Sequence, residues 1–357
     1  VSSAPDRQTA TVTVTDNPQP AAWDAFVERH PAATRYHQWA WRDVFSRTFG
    51  HKAVYLAATS GASGGQGGEI TGILPLVVLD TWLFGRFAVS LPFVNYGGVV
   101  ASDEAVARAL VDEAGRLGKA RGWKHVELRH LDQRFTTLAP KRHKVAMMLP
   151  LPANETALWD QLDRKVRNQV RKAQKVGFTT AIGGVELVGD YYQVFARTMR
   201  DLGTPVYAKR LFVEILSNRK IDAKIHVVRL EQTPVAASLT IGWRDIVEVP
   251  WAASLKEQRS NNPNMLLYWE MLRTAVADGR STFDFGRSTP DEGTFHFKKQ
   301  WGAQPQPMCW EYWLPAGREM PEQNPDNPKF KAAISAWQKL PVGVANVVGP
   351  HIVRGIA

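Results

Sequence analysis

Lys298 is the side chain in this sequence best suited to steady a developing negative charge. It lies in the run Ser281 to Gly302, S-T-F-D-F-G-R-S-T-P-D-E-G-T-F-H-F-K-K-Q-W-G. Alternation around Phe283 and Phe285 predicts a short buried strand. The Gly, Pro and Asp that follow stop it, so Lys298 and Lys299 are expected to begin a new element just past the sheet edge. Beside Phe295, Phe297 and Trp301 an ammonium sits in partly dried surroundings, where it interacts with an oxyanion far more strongly than in open water. The same residues also suit a surface turn whose lysines only solubilise aromatic packing.

Further cationic groupings offer anion binding. The helix expected around Asp163 to Lys175 carries Arg164, Lys165, Arg167, Arg171, Lys172 and Lys175. Arg167 and Arg171 are its candidates for contacts to donor phosphates such as those of tRNA, the plainer alternative being a wetted helix face. Between a strand and a helix lies Arg259-Ser260-Asn261-Asn262-Pro263-Asn264, a position where backbone N–H groups can hold a pyrophosphate. Arg259, Asn262 and Asn264 are the candidates there. Asparagine side chains crowd close phosphate approach, so the loop also reads as an ordinary N-cap.

The run Arg197 to Arg210 sets Arg200, Tyr207 and Lys209 around a Gly-Pro loop between helices. A guanidinium clamps a diphosphate at two points and a tyrosine stacks on or bonds to a sugar, whereas a helix C-terminus attracting bases explains the same residues without a ligand. Trp251 and Lys299 complete the substrate-binding candidates. Asp284 reads as a structural hydrogen-bond acceptor on a buried strand more readily than as a base. Nine histidines are scattered with no pair at metal-ligand spacing beside a carboxylate, so no metal is expected.

The elements that must position these residues fall into two successive halves. Strands are expected at 11–15, 51–58, 69–80, 89–92, 97–100 and 125–129, helices at 21–29, 39–49 and 103–121, and a glycine-rich hairpin tip at 61–68. The pattern then restarts, with strands at 145–149, 226–230, 235–242, 246–252 and 282–285 and helices at 155–176, 190–202, 209–217 and 265–278. Helices, a meander, then helix and strand, twice over, predict a duplicated α+β fold. A Pro-rich stretch at 315–328 leads to an amphipathic segment at 329–340 with Phe330, Ile334 and Trp337 on one face, suited either to an anionic membrane surface or to docking on its own domain.

At 357 residues and 44% hydrophobic content the chain has material for two domains and a tail. A formal charge of +10 points to an anionic partner. Cys309 is the only cysteine, which excludes an intrachain disulfide or a cysteine metal cluster and suits a reducing compartment. Between Met308 and Trp310 it reads as a packed strand residue rather than a nucleophile. No uninterrupted apolar run of about 18 residues occurs, and Val1 to Thr15 has no leader pattern, so a soluble protein is expected.

Taken in order, L-D-R-K-V-R-N-Q-V-R-K-A-Q-K-V-G, T-M-R-D-L-G-T-P-V-Y, N-M-L-L-Y-W-E-M-L, F-D-F-G-R-S and F-K-K-Q-W-G-A, with the ending G-P-H-I-V-R, resemble the FemABX-type family of the GNAT-like superfamily, and within it the FemAB-related proteins of exosortase and PEP-CTERM systems. The resemblance spans roughly Tyr36 to Leu314. It implies two tandem GNAT-like domains, 1–143 and 144–314, with mixed, mainly antiparallel sheets flanked by helices, and a helical tail at 315–357. It also implies aminoacyl transfer from charged tRNA to an amine of an anionic cell-envelope precursor, of peptidoglycan or exopolysaccharide. By the same resemblance Arg200 takes a diphosphate-binding place, Tyr207 a substrate-binding place, and Lys298 that of the lysine stabilising the transfer. No tightly bound cofactor is implied; the co-substrate is aminoacyl-tRNA or, alternatively, acyl-CoA. A cytoplasmic protein at the inner face of the membrane fits this role. A non-catalytic basic module of the envelope export machinery is the reading from a different class.

Overall fold

The computed structural model describes residues 12–60, 68–81, 85–321 and 328–356. The hairpin tip expected at 61–68 lies, Gly68 apart, outside them. The first half runs β1 (Val12–Thr15), α1 (Pro20–Arg29), α2 (Ala40–Phe49), β2 (Lys52–Ser60), β3 (Ile70–Thr81), β4 (Gly85–Val89), β5 (Val100–Ala101), α3 (Glu104–Arg121), β6 (Val126–His130) and β7 (Ala139–Lys141). Local chemistry sets the ends of α3. The Asp103 carboxylate accepts the Val106 N–H at 2.9 Å, and Gly122 closes the helix at φ 66°, a left-handed conformation that suits glycine.

The second half runs β8 (Val145–Pro150), α4 (Glu155–Gln161), α5 (Arg164–Gln174), β9 (Phe178–Gly183), α6 (Val188–Leu202), α7 (Lys209–Ser217), β10 (Asp222–Leu230), β11 (Thr233–Trp243), β12 (Ile246–Ser254), α8 (Pro263–Ala277), β13 (Thr282–Ser288), α9 (Gly293–Lys299), β14 (Gln304–Pro307) and β15 (Cys309–Trp313). A tail of α10 (Pro328–Gln338) and α11 (Val342–Val353) follows.

Two mixed sheets organise these elements. One has the order β1-β2-β3-β4-β6-β15-β7 with β5 against β3, the other β14-β8-β13-β12-β11-β10-β9. Each is antiparallel except for one parallel pair reached through a crossover helix: β4 with β6 across α3, and β12 with β13 across α8. The repeated plan confirms the duplicated α+β architecture. α3 covers the outer face of the first sheet through Leu110, Ala114 and Leu117. α5 and α8 cover the outer face of the second through Val166, Val170 and Leu272. The inner faces share one continuous core with α1, α2, α6 and α7, in which Trp23, Trp41, Phe45, Tyr191 and Phe212 are fully enclosed.

Several elements depart from the sequence expectation. β15, next in sequence to the second sheet, crosses back and inserts between β6 and β7 of the first, so a division of the strands at 143/144 separates the sheets only as far as Pro307. The helix expected at 155–176 is two. Leu162 leaves helical geometry to bury its side chain, and α5 restarts after Asp163. β9 lacks apolar alternation because it is a largely exposed edge strand. The strand expected at 89–92 ends at Val89, and the following turn holds Leu91 at φ 65° and Phe93 at φ 71°, a left-handed backbone rarely taken by such side chains. Lys298 and Lys299 close α9 rather than open an element.

Candidate active site at the seam between the sheets

The parallel pair β12 and β13 is short. Its register runs Ile246 with Thr282, Val247 with Phe283 and Glu248 with Asp284, and beyond that the strands part. Gly286, at φ 72°, turns the chain there, and its N–H donates to Asp284 Oδ1 at 2.8 Å. α9 then brings Lys298 back against this turn. The Lys298 ammonium donates to Gly286 O at 3.1 Å and Arg287 O at 2.8 Å and is only 8% exposed. Burial lowers its pKa to about 8, Asp284 and Glu248 acting in the opposite sense and Arg287 reinforcing the fall. An ammonium has three N–H donors, so one remains beyond the two carbonyls.

Glu248 and Asp284 are fully enclosed, and their partners come from the first half of the chain. Arg35 Nη1 lies 2.5 Å from Glu248 Oε2 and 3.7 Å from Asp284 Oδ2. Asn95 donates to Glu248 Oε1 at 2.6 Å, and the Tyr96 hydroxyl to Asp284 Oδ2 at 2.7 Å. The left-handed turn at Leu91 and Phe93 delivers Asn95 and Tyr96 to this spot. Burial raises both carboxyls, Glu248 to about 7; Arg35 opposes the rise in each. Sequence reasoning had Asp284 as a structural acceptor and missed Arg35, Asn95, Tyr96 and Glu248, which carry no local motif.

Tyr207 and Trp251 do come together, their rings 6.1 Å apart, with Phe93 of the first half 5.7 Å from Tyr207. Both are half-buried, and the Tyr192 hydroxyl pins the backbone of Tyr207 through its carbonyl at 2.9 Å. Arg287 links this aromatic wall to Lys298. Its carbonyl anchors the ammonium, and its guanidinium favours ionisation of Tyr207 against the dominant effect of burial, which raises that phenol.

The remaining candidates sit elsewhere. Arg200 is already engaged, its Nε on Asp201 at 2.8 Å and its Nη1 on the Leu340 carbonyl at 2.7 Å, so it clamps the tail onto α6. Lys209 is exposed in the first turn of α7, and Lys299 is exposed with its ammonium 5.9 Å from the Phe295 ring. Arg167 leans toward Asp160 at 3.9 Å and Arg171 lies over Trp159 at 5.2 Å, both on the outer face of the second sheet. Arg259 is exposed ahead of α8. Asn262 takes φ 57° and makes no side-chain cap, Asn264 is half-buried, and Pro263 between them removes one N–H from the helix start. That loop is a poor cradle for a pyrophosphate.

Residues 161–299 match the acetyltransferase (GNAT) domain family. The chain has a tandem GNAT-like fold. The crystal structure of FemX is similar over 83% of this chain and 96% of that one, with a TM-score of 0.61 at 16% identity. A C-terminal domain of a putative lysylphosphatidylglycerol synthetase from Agrobacterium fabrum covers 83% of this chain and 92% of its own, at a TM-score of 0.56 and 10% identity. A tandem GNAT protein from the clavulanic acid biosynthesis pathway covers 88% and 100%, at 0.51 and 11%. No curated protein matches the sequence. The GNAT segment contains Lys298, Glu248, Asp284, Tyr207 and Trp251. Among the described residues no helix is long and apolar enough to cross a membrane.

Proposed function

We propose that this protein is an acyltransferase that moves an aminoacyl group onto an amine of an anionic cell-envelope precursor. The observation that carries the reading is the Lys298 ammonium, held by two backbone carbonyls where β12 and β13 part, inside the GNAT segment and linked through Arg287 to the Tyr207–Trp251 wall. The amine attacks the donor carbonyl, a new C–N bond forms, and the third N–H of Lys298 stabilises the oxyanion. Collapse breaks the C–O bond of the ester donor, and the amine proton passes through water to the departing oxygen. Alignment of the two substrates supplies the rest of the acceleration.

Aminoacyl-tRNA is the favoured donor because the loop before α8 suits a pyrophosphate poorly while α5 presents a ridge of cations. The resemblance to FemABX proteins and the name of the lysylphosphatidylglycerol synthetase neighbour support the same choice. Acyl-CoA, with a thioester C–S bond broken instead, is the second reading, favoured by the acetyltransferase domain match. The acceptor belongs to peptidoglycan or to the exopolysaccharide work implied by the exosortase-associated resemblance. Contact with an anionic membrane surface would run through α11, whose outward Val344, Val347, Val348 and Ile352 are exposed while Ala345, Gly349 and Val353 pack inward.

Incubating the purified protein with charged tRNA, with a panel of acyl-CoAs and with a lipid-free envelope precursor extract, and reading mass shifts, names donor and acceptor together. The expected product is one aminoacyl increment on an amine of an anionic precursor, dependent on charged tRNA. No mass shift with any donor overturns the reading.

A further inference from the structure

The GNAT match lies wholly within the second half of the chain, yet the turn that holds Lys298 is fastened from the first. Asp284 makes the join. Its Oδ2 accepts the Tyr96 hydroxyl at 2.7 Å and its Oδ1 the Gly286 N–H at 2.8 Å, while the carbonyl of the same glycine accepts the Lys298 ammonium at 3.1 Å. Among the described residues Tyr96 is the one side chain hydrogen-bonded to this carboxylate, Arg35 standing off at 3.7 Å. Tyr96 is 4% exposed and Asp284 wholly enclosed, so the bond between them is made out of reach of bulk water.

Tyr96 is also held from behind. The loop that carries it keeps the buried Leu91 and Phe93 at φ 65° and 71°, a geometry that persists in bulky residues only where the surroundings over-determine it. β6 supplies that constraint. The Arg129 N–H donates to Ser90 Oγ at 2.8 Å and its Nη1 to the Val94 carbonyl at 2.7 Å, and its own carbonyl accepts the Gly97 N–H at 3.0 Å. A Cβ at Gly97 would stand 2.1 Å from the Ser90 carbonyl oxygen, so the loop also closes tightly on itself. The phenol therefore reaches Asp284 from a fixed base.

We propose that Tyr96 is a positioning residue for Lys298, fixing through Asp284 and Gly286 where the third N–H of the ammonium points. The inference rests on the proposed transfer for the role of that ammonium. The same bonds govern its proton. Lys298 faces Asp284 and Glu248, which favour its charged form, and Arg287, which opposes it; His296 and Lys299 of its own helix are exposed. Asp284 faces Arg35 and Lys298, with Glu248 alongside; burial raises its carboxyl, and Arg35 and then the Tyr96 bond oppose the rise. Burial also keeps the Tyr96 phenol protonated, so it remains a donor. Without the hydroxyl the carboxyl takes up a proton more readily, negative charge is withdrawn from Lys298, and the ammonium deprotonates at lower pH.

NMR of the full-length protein with lysine labelled by carbon-13 at Cε reads the charge of Lys298 without turnover, its resonance being the one missing from Lys298→Met. The midpoint is expected near pH 8 in the wild type and at lower pH in Tyr96→Phe, which deletes only the hydroxyl. Asp284→Asn retains an acceptor for the Gly286 N–H, loses the charge and should lower the midpoint at least as far, and the two changes together should add nothing more because both act through one carboxylate. In the transfer assay Tyr96→Phe should lower kcat about tenfold or more with KM held, its alkaline limb moving with the NMR midpoint. An unmoved midpoint in whichever of the two variants folds overturns the inference, as does an unchanged kcat in Tyr96→Phe. A lowered midpoint in a protein that transfers no acyl group upholds the coupling while the transferase reading falls; an active enzyme with an unmoved midpoint does the reverse.

Discussion

At Lys298 the physical question is why an ammonium is kept almost dry. Two backbone carbonyls hold it, and burial lowers its pKa from 10.5 to about 8 while Asp284 and Glu248 favour the charged form. A donor to an oxyanion must carry its proton, so the Lys298-dependent rate is expected to be full at neutral pH and to decline as pH rises through about 8. Lys298→Met should lower kcat by about a hundredfold, with less effect on KM, because one oxyanion donor is typically worth about that. The variant should also lose the alkaline limb near pH 8. Steady-state kinetics between neutral and alkaline pH check both, and an unchanged kcat in Lys298→Met removes the residue from the chemistry. Among residues, Lys298 was visible in sequence because aromatic neighbours mark a partly dry site, and Tyr207 because it lies beside a Gly-Pro loop among bases. Arg35, Asn95 and Glu248 were not, since Arg35 meets its partner 213 positions away and nothing local distinguishes it.

The element that most constrains the site is the turn at the end of β13. Gly286 takes φ 72°, and a Cβ there would stand 3.2 Å from both Asn95 Nδ2 and the Val249 carbonyl. Gly286→Ala therefore strains the backbone and presses on the seam at once. It is expected to cost about 1–3 kcal/mol and to lower kcat by displacing the carbonyl that anchors Lys298. Urea unfolding and kinetics on the same variant check this; unchanged stability would mean that the turn relaxes freely. The order of helices and strands was legible because periodicity is a local property. The break between α4 and α5 was not, because the demand of the core for Leu162 overrides a run of good helix formers. Nor was the return of β15 to the first sheet, since strand pairing over long separations leaves no periodic trace. α11 escaped too: its inward stripe is Ala345, Gly349 and Val353, small residues in a segment apolar on every side.

For the whole molecule the decisive feature is that the two halves are joined by a buried ionic network as well as by packing. Arg35, Asn95 and Tyr96 belong to one half, Glu248 and Asp284 to the other. Removing one partner of such a set leaves an uncompensated buried charge, so Arg35→Met is expected to destabilise the fold by about 3–5 kcal/mol near neutral pH. The loss should depend on pH with a definite sign. Glu248 is raised from 4.5 to about 7, chiefly by burial and against the pull of Arg35, so the native state binds a proton that the unfolded state releases between those values. Stability from this group is complete below 4.5 and is lost as pH rises through about 7. Without Arg35 the carboxyl keeps its proton to still higher pH, and its neutral form has less need of a counter-charge. The difference between wild type and Arg35→Met in urea unfolding should therefore be smaller at pH 5 than at pH 8. The buried and half-buried histidines act in the opposite direction: desolvation lowers His37, His51 and the half-buried His143 to about 4 and His226 to about 3, so their contribution fades as pH falls from 6.5. They are present in both proteins and cancel in the difference, which leaves the contacts of Arg35 with Glu248 and Asp284 as the source of any pH dependence. An equal penalty at both pH values would show that Arg35 stabilises the seam by packing alone.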